Sequence, residues 1–355
     1  MQKVCKLFDT FTFTFEFTFE HHIILFMKET KKINRVALMC SGGDAPGMNA
    51  AVRAVVRACI YHNIAVMGVV RGYDGLIDGN FETLESRSVS NIISRGGTIL
   101  KTARSERFRT KEGRKAAFDI VTAYEIDGII AIGGNGTFTG GELFFKEFGV
   151  PFIGIPGTID NDLYGTDYTI GFDTACNTVL DAVDKIRDTA DSHDRLFFIE
   201  VMGRDAGFIA LNAGIAGGVE AILLPETDTD IEELIKKLNR GAKKKKTSSM
   251  VIVAEGNNNG GAMEVARKVS EKFDYYDTKV TIIGHLQRGG SPSCHDRVLA
   301  SRLGVAAVDA LVQGHTNVMV GMRNDKVVQI PLHDTFTKRK DINNDLFDMA
   351  AILAV

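Results

Sequence analysis

Residues 35–60 read RVALMCSGGDAPGMNAAVRAVVRACI, and this stretch decides the fold. The apolar run 35–40 predicts a buried strand, the glycine-rich turn ends that strand, and residues 48–60 predict a helix. Glycines let the backbone approach an anion closely, and a helix N-terminus presents unpaired N–H groups to it. A strand–turn–helix unit also forms without a ligand, so the stretch alone leaves both interpretations open.

The same alternation of short apolar runs and helical stretches continues along the chain. Further strands are predicted at 64–70, 128–132, 152–155, 196–200, 221–224, 250–254 and 280–284. Further helices are predicted at 116–125, 174–190, 206–216, 231–243, 263–273 and 296–311. This order predicts an α/β fold with two doubly wound, Rossmann-like domains, whose largely parallel sheets are covered by helices on both faces.

Composition limits the classes of partner. The chain has 355 residues, 45% of them hydrophobic and 25% charged, with a net charge of −3. That balance predicts a globular protein of about two domains, without a nucleic-acid or membrane partner. An anionic substrate must then be held by local groups of Arg and Lys. The five cysteines form no C-x-x-C pair, which favours a reducing cytoplasm over zinc or redox chemistry.

The N-terminus departs from this pattern. Residues 11–20 read FTFTFEFTFE, a period-two alternation typical of a strand. The segment lacks a basic start and a small-residue cleavage site, so no secretory signal is predicted. No apolar run reaches the roughly 18 residues that span a bilayer. We interpret residues 1–30 as a disordered extension outside the fold.

Two further polar turns follow predicted strands. Residues 132–137 read IGGNGT, which predicts a flexible loop able to wrap a polyphosphate. Residues 156–162 read PGTIDND, in which Asp160 and Asp162 flank an asparagine. Two close carboxylates can act as a base and a metal-linked group, although Asp–Asn clusters also form ordinary turns. Since ligands of parallel sheets bind beyond the carboxyl ends of the strands, we expect these turns to share one site.

Basic residues complete the set of candidates. Arginine forks suit phosphate oxygens, and the alternative for each is solvated surface charge. The basic candidates are Arg104, Arg107, Arg109, Arg195, Arg204, His285 and Arg288. His285 and Arg288 lie among glycines in GHLQRGG, a poor setting for a generic surface helix. The lysine run 243–246 reads as a solvated face.

These stretches together resemble the bacterial, ATP-dependent 6-phosphofructokinase family. The resemblance rests on SGGDAPGMNAAVRAVVR, RGYDGL, SRGGTILKTARSERFR, AIGGNGTFTGG, PGTIDNDLYGTDYTIGFDTA, DSHDRLFFIEVMGRDAG, GGVEAILLPE, VAEG and GHLQRGGSPSCHDRVLASR, in order from about residue 35 to 310. It implies transfer of the γ-phosphoryl group of ATP to the 1-hydroxyl of fructose 6-phosphate, giving fructose 1,6-bisphosphate in glycolysis. It also implies Mg²⁺, a cytoplasmic homotetramer, and ADP or phosphoenolpyruvate as an effector.

The resemblance implies roles for single residues. Asp160 resembles the base, Thr158 and Asp162 resemble its partners, and Arg204 and Arg104 resemble the cations that neutralise the transferring group. ATP would be held by Gly43, Tyr73, Arg104, Ser105, Asn135, Gly136 and Thr137. The sugar phosphate would be held by Thr158, Asp160, Asp162, Met202, Gly203, Arg204, Glu255, His285 and Arg288. The metal would lie at Asn135 and Asp162.

The resemblance also implies interfaces and domain limits. Arg195 and Lys279 match positions that reach the sugar phosphate of a neighbouring subunit. The effector positions are Arg53, Arg57, Arg187, Glu220 and Lys246. An ATP-binding domain would comprise residues 31–171 plus 284–334, and a fructose-6-phosphate-binding domain residues 172–283 plus 335–355.

The same resemblance indicates which phosphoryl donor the chain uses and where its sequence differs from the family pattern. Pyrophosphate-using members typically carry Asp where this chain has Gly136 and Lys where it has Gly157, so ATP is favoured. The family's usual Asp is Asn135 here, which removes a carboxylate from the metal site. Lys279 replaces a usual Arg, and Ser105 replaces a usual aromatic residue. The leading hypothesis is an active ATP-dependent kinase, and the second is a catalytically impaired regulatory paralogue that binds nucleotide and sugar phosphate. A third, a pyrophosphate-using or different-sugar kinase, is disfavoured by the two glycines.

Overall fold

The computed structural model describes residues 32–228, 230–244 and 246–353, so the predicted N-terminal extension lies outside the described residues. Two sheets organise these residues. The larger has the strand order β11-β10-β5-β4-β1-β2-β3, and the smaller has the order β7-β8-β6-β9. The strands are β1 (Arg35–Cys40), β2 (Ala65–Val69), β3 (Phe81–Thr83), β4 (Gly128–Gly133), β5 (Phe152–Pro156), β6 (Arg195–Val201), β7 (Ala221–Leu223), β8 (Ser249–Ala254), β9 (Asp277–Ile282), β10 (Val318–Arg323) and β11 (Lys326–Pro331).

Helices connect and cover the strands. They are α1 (Met48–Tyr61), α2 (Gly72–Asp78), α3 (Lys111–Ala123), α4 (Asn135–Phe148), α5 (Phe172–Asp191), α6 (Phe208–Ala216), α7 (Ile231–Lys243), α8 (Ala262–Ser270), α9 (Cys294–Val312), α10 (Leu332–Thr337) and α11 (Asn344–Leu353), with 3₁₀ helices at Arg107–Arg109 and Gly284–Arg288. Within the described part of the chain, no helix combines the length and apolar character needed to cross a membrane.

The predicted fold class is confirmed. β1 pairs in parallel with β2 and β4, and β6 pairs in parallel with β8 and β9. Only the pairs β2–β3 and β10–β11 are antiparallel among the described strands. The residues of β4 and β8 are buried throughout, which explains their almost purely apolar sequences. The carboxyl ends of β1, β4 and β5 therefore meet at one edge of the larger sheet.

Close packing holds the first helix against this sheet. Helix α1 packs on α9, where a side chain on Gly304 would fall 2.5 Å from the Ala54 Cβ. The buried Asp296 of α9 accepts hydrogen bonds from the Gly171 amide (2.9 Å) and the Thr174 amide (2.8 Å) at the start of α5. A carboxylate at a helix N-terminus satisfies unpaired N–H groups and favours the helix dipole. These contacts fix α1 and α5 relative to each other.

The prediction of a loop after β4 was wrong, because a helix begins there. Residues 135–137 were predicted as a flexible loop, but they form the first turn of α4. The sequence concealed this helix because it contains Gly136, Gly140 and Gly141, which weaken helical propensity. Gly141 is required by packing, since a Cβ there would fall 2.4 Å from the Phe152 ring.

Other differences concern boundaries and short elements. The strand predicted at 280–284 runs instead over Asp277–Ile282, and Gly284 begins a 3₁₀ helix. No element was predicted from the sequence at β3, β10, β11, α2, α10 or α11. β3 has three residues, and α10 has six, which is too short for an apolar period to be visible.

Candidate active site

A cavity of about 720 Å³ lies beyond the carboxyl ends of β1, β4 and β5. Most of its wall comes from the larger sheet, and Arg204, which follows β6, reaches it from the smaller sheet. All the predicted ATP and catalytic positions line it: Gly43, Tyr73, Arg104, Ser105, Asn135, Gly136, Thr137, Thr158, Asp160 and Arg204. Asp162 and Arg288 line it too. The predicted convergence of the three turns is therefore observed.

The N-terminus of α4 lines the cavity at Asn135, Gly136 and Thr137, and the turn of Ser41, Gly42 and Gly43 lines it ahead of α1, whose own residues do not. Helix α1 begins after the turn that contains Gly43, and α4 begins at Asn135. The N-terminus of a helix combines free N–H donors with the positive end of the helix dipole, which suits a polyphosphate. At Gly136 an added Cβ would meet nothing within 4 Å, so the cavity is open there. At Gly157 it would fall 2.7 Å from Ile132 Cγ2, so packing also requires that glycine.

An aromatic pair forms one wall. Tyr73 stacks on Phe108 with ring centroids 3.9 Å apart, and its hydroxyl donates to the Thr137 carbonyl at 2.5 Å. Burial raises the pKa of Tyr73 well above its ordinary value, so this hydroxyl stays a neutral donor. Phe108 lines the cavity but was missed from the sequence. The pair supplies the flat apolar surface that a nucleotide base requires.

A buried arginine fixes this wall. Arg114 makes a two-pronged contact with Glu147 through Nε and Nη2, both at 2.7 Å. Its Nη1 donates to the carbonyls of Phe108 (3.0 Å) and Arg109 (2.8 Å). The position of Phe108 therefore depends on a residue that does not touch the cavity.

Ser105 has a local structural role. Its hydroxyl donates to Asp74 and accepts from the Phe108 amide at 3.1 Å. The serine thus orders the turn before the 3₁₀ helix. The aromatic surface near this position comes from Phe108 instead, three residues further along.

The two carboxylates lie in a low-dielectric setting. Asp160 is 2% exposed, and burial raises its pKa above the ordinary range, while the Arg204 and Arg288 guanidinium groups act in the opposite direction. Arg204 Nε lies 3.5 Å from Asp160 Oδ2. Burial also raises the pKa of Asp162, and the charge of Asp160 adds to that rise. A carboxylate with a raised pKa is a stronger base, which suits proton abstraction near neutral pH.

The oxygen atoms that could ligate a metal in this site belong to Asn135, Asp160 and Asp162. Asn135 Nδ2 donates to Asp162 Oδ2 at 2.8 Å, while Asn135 Oδ1 and Asp160 Oδ1 are buried without a hydrogen-bond donor among the described residues. The described residues contain no group of three acidic, His or Cys side chains able to hold a metal by themselves. Oxygen donors with one or two carboxylates fit Mg²⁺ that is shared with substrate phosphates.

A strained turn presents Arg204. Its φ is +52°, in the left-handed region, and Gly203 before it has φ +147°. Glu255 Oε1 accepts from the amides of Gly203 (3.2 Å) and Arg204 (2.7 Å) and so holds the turn. The Met202 amide donates to the buried Gln287 at 3.3 Å. Gln287, within the GHLQR motif, was missed as a residue of this site.

The remaining predicted residues divide into two groups. Arg288 lines the cavity and donates to the Asp44 carbonyl at 3.0 Å; a side chain on Gly43 would fall 2.7 Å from its Nη1. Met202, Gly203, Glu255 and His285 lie next to that region without lining the cavity. His285 is exposed, on the 3₁₀ helix that carries Arg288.

Arg195 and Lys279 lie away from the cavity of their own chain. They sit on the adjacent strands β6 and β9, where Asp277 is 3.5 Å from Arg195 Nε and 2.9 Å from Lys279 Nζ. Lys279 is exposed on β9, an edge strand of the smaller sheet, whereas Arg195 is half-buried on the neighbouring strand β6.

The predicted effector positions are partly together. Lys246 Nζ lies 3.6 Å from Glu220 Oε1, and both line a second cavity of about 540 Å³. Arg187 donates to the Gly217 carbonyl, three residues before Glu220. Arg53 and Arg57 lie on α1, next to the larger sheet, and do not line this second cavity.

Fold and site together define a class: an α/β protein that receives a phosphate-bearing ligand between a helix N-terminus, glycine turns, two aspartates and arginines. A family model for phosphofructokinase matches residues 35–311. The ATP-dependent 6-phosphofructokinase of Cytophaga hutchinsonii is 58% identical over 90% of this chain and 97% of its own length. ATP-dependent 6-phosphofructokinase 1 of Thermus thermophilus is 53% identical over 91% and 100%. The chain belongs to the phosphofructokinase family.

Solved structures agree with this assignment. The phosphofructokinase of Saccharomyces cerevisiae superposes with a TM-score of 0.83 at 37% identity over 91% of this chain. This chain spans about half of that longer yeast chain, 48% of it. A pyrophosphate-dependent phosphofructokinase from Marinobacter aquaeolei has a TM-score of 0.78 at 23% identity, which shows the common fold alone.

Proposed function

We propose that this chain is an ATP-dependent 6-phosphofructokinase, which transfers the γ-phosphoryl group of ATP to the 1-hydroxyl of fructose 6-phosphate. The observation that carries the proposal is the pairing of the buried Asp160 with Arg204 at 3.5 Å, beside a cavity lined by the N-terminus of α4 and the glycine turn after β1. Phosphoryl transfer depends on positioning and charge neutralisation more than on covalent catalysis. The names of the closely similar relatives support the same reaction.

The chemistry assigns a task to each group. Asp160 takes the proton of the 1-hydroxyl, since burial makes it a stronger base, and Thr158 and Asp162 lie beside it. Arg204 and Arg104 neutralise the charge that spreads over the transferring oxygens. Glu255 keeps Arg204 in place through the turn at Gly203.

The metal site would lie at Asn135 and Asp162, with Mg²⁺ neutralising the phosphate oxygens of the nucleotide when bound. The Asn135 side chain offers a carbonyl oxygen that is buried and accepts no hydrogen bond from the described residues. Asp162 supplies the carboxylate at this position.

The nucleotide would occupy the side of the cavity formed by Tyr73, Phe108, Ser105 and the N-terminus of α4. The space at Gly136 admits an α-phosphate, which supports ATP over pyrophosphate as donor. Binding of the nucleotide beside the larger sheet supports an ATP-binding domain of residues 31–171 plus 284–334. The sugar-phosphate domain would then comprise residues 172–283 plus 335–355.

A second copy of the chain would complete the sugar-phosphate site. Lys279 is exposed on the edge strand β9, and Arg195 is half-buried beside Asp277 on the adjacent strand; neither lines the cavity of its own chain, so both can serve the cavity of a neighbour. This geometry supports a homo-oligomer, with a homotetramer as the form that the family resemblance suggests. ADP or phosphoenolpyruvate would bind where Glu220, Lys246 and Arg187 meet Arg53 and Arg57 of another copy. We infer a role in glycolysis, in the cytoplasm, as the family resemblance suggests.

The first experiment measures turnover of the purified protein with fructose 6-phosphate and Mg²⁺, in parallel reactions with ATP and with pyrophosphate. We expect turnover with ATP and none with pyrophosphate. Omitting the sugar phosphate controls for ATP hydrolysis. Turnover with pyrophosphate would overturn the donor assignment, and nucleotide binding without turnover would favour an impaired regulatory paralogue.

The substitution Asn135→Asp tests the metal site. It would place two carboxylates where Asn135 Nδ2 now donates to Asp162 at 2.8 Å, so a cation is needed between them. We expect the Mg²⁺ concentration for half-maximal turnover to fall several-fold, and the melting temperature to drop without Mg²⁺ and recover with it. Asn212→Asp, on α6, is the control. If neither turnover nor the Mg²⁺ dependence of melting changes, the site does not depend on a carboxylate at residue 135.

A further inference from the structure

A lysine near the C-terminus joins the two halves of the molecule. Lys340 lies in the segment between α10 and α11. Its Nζ donates to the Asp167 carbonyl at 2.8 Å and lies 5.1 Å from the centroid of the Phe208 ring. Asp167 belongs to the chain that follows β5 of the larger sheet, whereas Phe208 begins α6 beside the smaller sheet. The ammonium group therefore contacts both units at once.

The Asp167 carbonyl has a second donor of functional interest. Asn161 Nδ2 donates to it at 3.2 Å. Asn161 is buried, has φ +53° in the left-handed region, and stands between Asp160 and Asp162. The same acceptor thus binds the Lys340 ammonium group and Asn161, the residue between the two carboxylates in the chain.

The second contact of Lys340, with the Phe208 ring, lies near the element that carries Arg204. Phe208 is buried and follows Arg204 by four residues, after the turn held by Glu255. A cation over an aromatic face is stabilised most when it is removed from water. Lys340 therefore connects the turn of Asp160 to the element that follows Arg204, the two groups that meet at 3.5 Å.

A residue that only held the C-terminal segment 338–353 against the rest of the chain would not require an ammonium group here. Burial lowers the pKa of Lys340 to about 8, with the charges of Asp167 and Asp162 acting in the opposite direction. An apolar side chain could cover Phe208 without this desolvation cost. The tail already packs through α11, whose Phe347 contacts the core. The ammonium group thus makes a directed hydrogen bond to the Asp167 carbonyl, which an apolar side chain could not make.

We propose that Lys340 is a positioning residue for phosphoryl transfer, which sets the distance between Asp160 and Arg204 by joining the Asp167 carbonyl to Phe208. This inference rests on the proposed function. Lys340 does not line the cavity, so it acts through the turn of residues 160–167 and not on the substrate. Its removal should weaken the catalytic geometry more than the binding of either substrate.

The test compares Lys340→Met, Lys340→Arg and the control Arg339→Met in the full chain. Arg339 is adjacent and exposed, so its replacement removes one positive charge from the same segment. For Lys340→Met we expect kcat to fall about ten- to a hundredfold, since small misplacements of reacting groups cost this much, with both KM values within about threefold. Lys340→Arg should recover most of the turnover, because a guanidinium group can reach the same carbonyl and stack on the ring.

A second measurement does not depend on turnover. Hydrogen–deuterium exchange should accelerate in peptides covering residues 158–168 of Lys340→Met, and not in those covering β1 or in Arg339→Met. Unchanged kcat and unchanged hydrogen–deuterium exchange rates in Lys340→Met would overturn the inference. It would also be overturned if Lys340→Arg lost as much kcat as Lys340→Met. If the unmodified chain lacks turnover, the proposed function fails instead, and the exchange experiment still decides whether Lys340 holds the turn.

Discussion

Replacement of Asp160 by Asn is expected to lower kcat by roughly 10²–10⁴-fold, the usual contribution of a general base. The amide keeps the size of the carboxylate but cannot accept the proton of the attacking hydroxyl. Asp160 is buried, and burial raises its pKa, so the ionised form is a stronger base than an exposed aspartate. Steady-state kinetics with ATP and fructose 6-phosphate measures the loss, and Asp160→Ala should lose at least as much.

Binding measurements separate a lost base from a lost fold. Titration calorimetry with a non-hydrolysable ATP analogue should give similar affinity for the variant, because the N-terminus of α4 and the Tyr73–Phe108 pair are untouched. Asp162→Asn is the matched comparison, since that carboxylate also lines the cavity but is half-buried. Added Mg²⁺ should recover part of the Asp162→Asn loss and none of the Asp160→Asn loss. Near-normal turnover of Asp160→Asn would remove Asp160 as the base.

Much of the fold could be read from the sequence because its central strands are buried on both faces. Such strands are short apolar runs bounded by turn residues, as in β1 and β4, and they are visible without any partner. Helix α4 was missed for the opposite reason. Its glycines serve the close contacts with Tyr73 and Phe152, and those contacts exist only in the folded chain. Local propensity therefore gave the wrong state where packing decides.

The cavity was predictable where a motif follows a strand, and not where distant segments meet. The turns with Gly43, Asn135 and Asp160 each follow a parallel strand, so topology alone brings them together. Arg114 and Lys340 donate hydrogen bonds to backbone carbonyls of other segments. Such contacts cannot be predicted from the spacing of residues in the sequence. Phe108 carried a weak signal, as an aromatic residue within the basic stretch KTARSERFRT. Its role depends on stacking with Tyr73, 35 positions earlier in the sequence.

Replacement of Arg204 by Gln is expected to lower kcat by about 10²–10³-fold, in line with the loss of one charged donor at a transition state. The turn should survive, because Glu255 holds it through the backbone amides of Gly203 and Arg204 and not through the arginine side chain. Arg204→Lys should lose less, since it keeps the charge without the planar fork. Arg107→Gln is the control, because Arg107 is exposed and pairs with Asp78 on the surface.

The pH profile distinguishes this electrostatic role from a purely structural one. The positive charge of Arg204 holds the pKa of Asp160 down against burial, which raises it. Without that charge the pKa of Asp160 rises further, so the base becomes protonated at a higher pH. The acidic limb of kcat against pH should therefore move to higher pH in Arg204→Gln and Arg204→Ala, remain in place in Arg107→Gln, and shift little in Arg204→Lys. A uniform loss of kcat with an unmoved acidic limb would mean that Arg204 does not act on the charge of Asp160, and the 3.5 Å pair would then be a contact without electrostatic coupling.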